Sequence, residues 1–418
     1  MRPARAFLVA VVASICLTAL AHQAAKPPSS ERVYVDTILE GLVRTGVLTQ
    51  EQLEQLKAQA AAAAEQAAKE AAATAPERPS EPPKKKAWYD TVKVSGYAQG
   101  RFQYYPDYPN ADRKTLSNEF LVRRARFKFT FEPNDRTHVV VEPDLGEGKV
   151  EARDVYIQRY LDDQKTFSLR IGQQKIPFGF ETPQSSSVRL PFERNYVAAT
   201  MFPGERDTGL VLFFTSPEDH KLFDASRKTA FGVGDYGTLA IGFFNGQGRN
   251  QAEANSSKHF VVRVAKPFSL GAAGRYGEVG ASYWRGHYFS NWGSGSEDFA
   301  DRLLGFHVFI EPRPFGLQGE YYTGKTEGDD VDGWYAMGML RTGSKGTLFV
   351  RHEDYEGRRK GKGPSYVFDR SRTAVGYAHQ IDDRDRLTIE YDFEDVDAAN
   401  RKPAYDNDFF GVQWMVTY

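Results

Sequence analysis

From Trp88 to Tyr418 the chain repeats short segments in which apolar and polar residues alternate, and it ends on an aromatic. In the closing stretch, Phe410, Val412, Trp414, Val416 and Tyr418 share one face. A period of two is the signature of a strand with two unlike faces. In 124–131, Ala125, Phe127, Phe129 and Phe131 oppose Arg124, Arg126, Lys128 and Thr130. In 387–394, Leu387, Ile389, Tyr391 and Phe393 oppose Thr388, Glu390, Asp392 and Glu394. The repetition predicts an all-β chain closed into a transmembrane antiparallel β-barrel of about 16 strands, with lipid outside and water inside.

The segments ahead of the barrel are of other kinds. Arg2 and Arg5, an apolar run from Phe7 to Leu20 and the small-residue site Ala19-Leu20-Ala21 mark 1–21 as an export signal. The only cysteine, Cys16, lies inside it, so the exported protein is expected to hold no thiol or disulfide. Residues 31–73 carry apolar positions at three- and four-residue spacings, and Thr49 with Gln52 forms a capping-box pattern. This predicts an N-terminal periplasmic helical segment, either a short coiled coil or an Ala-rich spacer. Residues 74–87, rich in Pro and Lys, form a stiff charged linker.

Bulk properties exclude several classes. No later run approaches the roughly 18 apolar residues of a membrane helix. Mean hydropathy is −0.54, a value a barrel shares because half of every strand faces water. A net charge of −1 gives no general attraction to nucleic acid. Phosphate-binding, dinucleotide and metalloprotease motifs are absent, as are CxxC pairs. His138, His259 and His307 lie in predicted strands without partners at metal spacing. No cofactor and no metal is expected. Acidic groups at 297–301, 327–332 and 394–397, and the basic 358–363, are placed on external loops as solvated charge.

Candidate strands fall near 90–104, 120–132, 136–145, 150–161, 165–175, 207–216, 237–245, 257–266, 276–289, 302–311, 315–324, 331–341, 346–355, 371–381, 385–396 and 407–418. Tight turns at 133–135, 161–163, 312–314, 343–345 and 381–383 alternate with long links such as 176–206, 246–256 and 356–370. Short at one end and long at the other is the outer-membrane pattern of periplasmic turns and external loops. The link 217–236 breaks it by being long at the turn end.

A cation at mid-bilayer on the lipid side costs about 2–4 kcal/mol, so the charged faces look inward. The inward candidates are Lys93, Arg101, Arg124, Arg126, Lys128, Arg136, Arg170, Arg263, Arg372 and Arg386. Glu142, Asp144, Glu390, Asp392 and Glu394 are the acidic ones. A basic wall lowers the barrier for small anions. Pairing with Glu142 and Asp144 from the next strand would neutralise part of it.

Ile171-Gly172-Gln173-Gln174-Lys175-Ile176-Pro177-Phe178-Gly179-Phe180-Glu181, then Ser185-Ser186-Ser187 and Phe192-Glu193-Arg194-Asn195, resemble the phosphate-selective porin O/P family. Phe120-Leu121-Val122-Arg123-Arg124-Ala125-Arg126, Pro203-Gly204-Glu205-Arg206-Asp207-Thr208-Gly209 and Phe244-Asn245-Gly246 match it too. The resemblance covers roughly 90 to 418. It implies a sixteen-stranded outer-membrane barrel over 88–418 that forms a homotrimer in outer-membrane lipid. It also implies passage of anions such as phosphate and chloride, a lumen narrowed by 176–206, and Arg123 and Arg124 on the arginine-lined pore. Where the best-known members carry a lysine after the serine pair, this chain has Val188 and then Arg189, the loop's candidate anion contact. Other functions the residues allow are a barrel anchor bridging to periplasmic partners, an outer-membrane phospholipase-type enzyme using Ser and His, and a soluble β binding protein.

Overall fold

The computed structural model describes residues 43–44, 49–55, 57–59 and 61–62. From Trp88 onward it describes all but 107–117, 203, 228–230, 272–273, 291–296, 359–366 and 399–407. The export signal, the linker, most of 31–73 and much of the basic 358–363 patch lie outside the described residues. The chain divides into two units, Met1–Lys86 and Ala87–Tyr418. In the first, the Thr49 amide donates to Gln52 Oε1 at 2.9 Å and the Gln52 amide to Thr49 Oγ1 at 3.2 Å. These reciprocal bonds satisfy two otherwise orphan amides where the helical residues begin.

Among the described residues the second unit holds sixteen strands. They are β1 (Val92–Tyr104), β2 (Asn118–Asn134), β3 (Thr137–Asp144), β4 (Glu151–Tyr160), β5 (Phe167–Lys175), β6 (Arg206–Phe214), β7 (Leu239–Phe244), β8 (His259–Leu270), β9 (Arg275–Ser290), β10 (Glu297–Ile310), β11 (Phe315–Thr326), β12 (Asp329–Thr342), β13 (Gly346–Arg358), β14 (Val367–Gln380), β15 (Asp385–Ala398) and β16 (Phe409–Thr417). Each pairs antiparallel with its neighbours, and β1 pairs with β16, so the barrel closes. Closure leaves no unpaired edge, the condition for a sheet in hydrocarbon.

Phe127, Phe129, Phe131, Ile157, Ile171, Phe243, Phe306, Leu348, Ile389, Phe393 and Trp414 are exposed on the outside. An apolar surface this continuous is the face that hydrocarbon covers. At the seam Gly96 and Tyr418 exchange backbone bonds at 2.9 and 3.1 Å, and the Tyr418 hydroxyl donates to the Arg126 carbonyl at 2.8 Å. A Cβ on Gly96 would stand 2.1 Å from that carbonyl and 2.7 Å from the Tyr418 ring, so only glycine admits this closure.

Two departures from the regular hairpin pattern bear on the lumen. Gln99 pairs with Arg124 but Gly100 pairs with Val122, which makes Arg123 the extra residue of a β-bulge. The long link after β6 contains a helix, Pro217–Arg227. Its start is written in the sequence: the Ser216 hydroxyl accepts from the Asp219 amide at 3.2 Å, Pro217 opens the helix, and Glu218 and Asp219 fill the first turn.

Candidate functional site

The loop 176–206 folds into the barrel because it has aromatics to bury and a wall prepared for them. Phe178 and Phe202 pack 5.0 Å apart in a cluster with Ile176, Val197 and Met201 and the inward Phe244, Trp284, Leu303, Tyr322 and Tyr355. Phe180 stacks on Phe309 at 4.6 Å, near Leu190, Tyr335 and Phe349. Each such side chain contributes about 1.5–3 kcal/mol by leaving water.

Three inward glutamates on alternate strands then take the loop's backbone amides. Glu320 on β11 accepts from the amides of Phe180 and Glu181. Glu353 on β13 accepts from the Tyr196 amide at 2.9 Å, and Glu390 on β15 from the Phe192 amide at 2.8 Å. Within the loop, Asn195 caps the short helix α1 (Tyr196–Met201) by accepting from the Ala198 amide at 2.9 Å. Glu320 and Glu353 were not among the sequence candidates. Their only signal was an acid at an inward position of a predicted strand.

The basic candidates fall into three groups. The first meets a loop carboxylate. Arg101 reaches Glu193 at 3.0 Å, Arg124 at 2.9 Å, and Arg123 at 3.0 and 3.1 Å through two nitrogens. The bulge turns both Arg123 and Arg124 toward this one side chain. The second group pairs with wall acids. Arg126 bonds Asp144 at 2.8 Å, Arg263 pairs with Glu278, and Arg372 pairs with Glu353 and, at 3.5 Å, with Asp392. Lys93 stands exposed at the start of β1 and pairs with Glu132 at 2.7 Å; Arg136, in the β2–β3 turn, pairs with Asp163 of the β4–β5 turn.

The third group has no ion pair among the described residues. Arg170 lies between the rings of Tyr156 and Phe213, at 4.5 and 4.7 Å, and donates to Gln158 at 2.8 Å. Arg189 is buried and donates to the Pro191 and Phe192 carbonyls at 3.1 and 2.6 Å. The guanidinium of Arg386 is buried and donates to the Arg189 carbonyl at 2.9 Å. Lys128 is half-buried on the inward face of β2. No group of three or more His, Cys, Asp or Glu is arranged for a metal ion among the described residues.

A cavity of ≈ 670 Å³ opens beside the first group, lined by Arg101, Gln103, Tyr105, Arg123, Glu147 and Glu193. Burial alone would raise the Glu193 carboxyl. Arg123, Arg124 and Arg101 outweigh it and hold the group well below the usual carboxylate range.

The segment after β6 fills part of the same barrel. Phe223 of α2 (Pro217–Arg227) and Phe231 bury against inward Tyr276, Met337 and Phe349, and the Gln184 side chain donates to the Phe231 carbonyl at 2.9 Å. The segment is tied by His220, whose Nδ1 lies 2.6 Å from Asp235 and whose Nε2 lies 2.9 Å from the Lys165 carbonyl. Both partners are acceptors, so both contacts require the doubly protonated ring. The bond to Asp235 raises the His220 pKa above its ordinary value, with Asp224 adding to it. A raised folded-state pKa gives a tie fully present below the ordinary value and lost as pH rises through the raised one. Amide hydrogen exchange, corrected for intrinsic rate, is therefore expected to show 215–227 and 231–238 several-fold less protected at pH 8.5 than at pH 6. His220→Ala should remove that difference.

Residues 92–314 match the sequence profile of the phosphate-selective porin O and P family. No curated protein sequence matches the chain. Similar solved structures include the outer membrane channel DcaP of Acinetobacter baumannii, at 12% identity and TM-score 0.52 over 78% of this chain and 97% of that one. An anion-selective porin from Comamonas acidovorans matches at 12% identity and TM-score 0.51, over 78% and 99%. Salmonella typhi OmpF, in complex with daunomycin, matches at 13% and 0.53, over 79% and 99%. At these identities the likeness is one of fold. The profile match spans more than half of the chain and covers the first ten barrel strands, and the protein belongs to the phosphate-selective porin O and P family of outer-membrane β-barrel porins.

Proposed function

We propose that the barrel passes small anions, chloride and phosphate among them, along the side of the lumen faced by β1 and β2. One observation carries this reading: Glu320 of β11, Glu353 of β13 and Glu390 of β15 are engaged in holding the loop, whereas three guanidiniums of β1 and β2 share a single loop carboxylate. Arg101, Arg123 and Arg124 share Glu193, with Glu147 added on Arg123 at 2.8 Å. Arg170, Arg189 and Arg386 have no ion pair among the described residues. A charge surplus in a narrow, low-dielectric passage biases which ions cross it.

The test is the reversal potential of the purified protein in a planar bilayer under a KCl gradient. Its sign is expected to show chloride preferred; a cation preference refutes the reading. Phosphate added in the millimolar range is expected to reduce chloride current if the Arg189 loop takes up that anion. Absence of block leaves a general small-anion porin. The family also supports a homotrimer, and the sequence pattern supports 1–21 removed on export and the N-terminal helices in the periplasm. Cross-linking in native outer membrane checks this through a band at three chain masses.

A further inference from the structure

Glu193 is held as a bound solute would be. Arg123 grips it side-on, Nε to Oε1 at 3.0 Å and Nη2 to Oε2 at 3.1 Å. Arg124 adds a bond to Oε2 at 2.9 Å, and the Arg101 guanidinium, bonded to Gln413, stands 3.0 Å from Oε1 as an ion pair. The fork of Arg123 engages both oxygens at once, with Arg124 added on one and the Arg101 charge beside the other, the arrangement that a planar, two-oxygen carboxylate fills. Three guanidiniums around one carboxylate keep a positive surplus even after Glu147 is counted. The site opens on the ≈ 670 Å³ cavity, which Arg101, Arg123 and Glu193 themselves line.

The loop does not depend on this contact. Phe192 is held by Glu390, Arg194 by Glu205 at 2.7 Å and by the Glu181 carbonyl at 3.0 Å, and Asn195 by Glu181 at 2.7 Å. The Glu193 side chain can therefore swing out by rotamer changes while its neighbours stay in place.

We propose that Glu193 is a tethered competitor: it occupies the seat that Arg101, Arg123 and Arg124 offer to the carboxylate of a small organic acid, and such solutes bind by displacing it. This rests on the anion-porin reading and adds a solute class and a built-in regulation to it. A short tether gives an effective concentration on the order of millimolar, so the native channel admits carboxylates to the seat only when they are abundant.

The experiment uses the full protein in planar bilayers in KCl at pH 7, with acetate as the probe and phosphate as the comparator. In Glu193→Gln the competing charge is gone while the shape is kept. Acetate is expected to reduce chloride current at a concentration about 10-fold or more lower than in the native channel. Adding Arg123→Ala to that variant should return acetate to weak binding, and phosphate should gain less than acetate from Glu193→Gln. Equal acetate sensitivity in native and variant channels overturns the proposal, and so does a gain for phosphate that matches or exceeds that for acetate. Glu193→Asp, which keeps the charge but withdraws it from the cluster, covers failure of the neutral variant to insert. It should tighten acetate several-fold, and unchanged binding there also overturns the proposal. Chloride preference without any acetate shift defeats the tethered competitor alone. Cation preference in the native channel defeats the anion-porin reading instead.

Discussion

Replacing Arg124 and Arg126 together with glutamate is expected to abolish the chloride preference of the channel or invert it. The substitution moves the charge of one stretch of lumen wall from plus two to minus two. Arg124 now lies 2.9 Å from Glu193 and Arg126 lies 2.8 Å from Asp144. The change therefore sets carboxylate against carboxylate at both places. Two unit charges about 4 Å apart interact by roughly 4 kcal/mol at an effective dielectric of about 20, enough to drive Glu193 from its position and to set the sign of the local potential. The outward faces of β1 and β2, which meet lipid, are untouched, so the barrel should still insert. Asp144 loses one partner but keeps the amides of Ala125 and Gly146, each at 3.1 Å. The measurement is the reversal potential under a salt gradient. An unchanged value would mean that these guanidiniums stand off the conduction path.

The second large effect is expected from Phe178→Ala combined with Phe180→Ala. Both rings are fully buried. Large-to-small changes of this kind cost about 3–5 kcal/mol each where the surroundings cannot collapse. Here they remove the apolar contacts that seat the start of the loop against Phe309 and Tyr322. The backbone bonds to Glu320 would then stand alone, exposed to water that competes for them. Single-channel conductance should rise several-fold and become noisy as the loop leaves the lumen. A native conductance in this variant would show that the loop does not set the width of the passage. Glu320→Gln, which keeps an acceptor oxygen in place, should change conductance far less.

The sheet was legible because lipid enforces it. Hydrocarbon tolerates neither an unpaired backbone group nor a charge facing it, so period-two alternation appears in strand after strand, from Val92–Tyr104 to Phe409–Thr417. Parity also assigned Arg124 and Arg126 to the inner face, where both are buried. What parity does not carry is partnership. Glu193 meets Arg123 from a loop 70 residues further along the chain, and no local pattern announces that contact. The bulge at Arg123 arises from how β1 and β2 register, a property of two strands and not of one. Glu320 and Glu353 carry no such signal because the loop partners they hold are backbone amides, which every residue but proline has. The helix after β6 has a readable start at Ser216-Pro217-Glu218-Asp219, but it lies in a link whose length at the turn end runs against the strand pattern.

The charged faces of these strands look into water while the aromatic faces look into lipid. Cys16 is the only cysteine of the sequence and falls in the segment expected to be removed on export, so single cysteines introduced in the barrel report cleanly. Arg123→Cys places a thiol at the ≈ 670 Å³ cavity, and Phe129→Cys places one on the exposed outer face. A water-soluble, sulfonate-bearing thiol reagent is added to each channel while current is recorded. The expected result is a stepwise fall in chloride current for the position 123 variant and no change for the position 129 variant. Current lost only at position 129, or unaffected at both, would contradict the account.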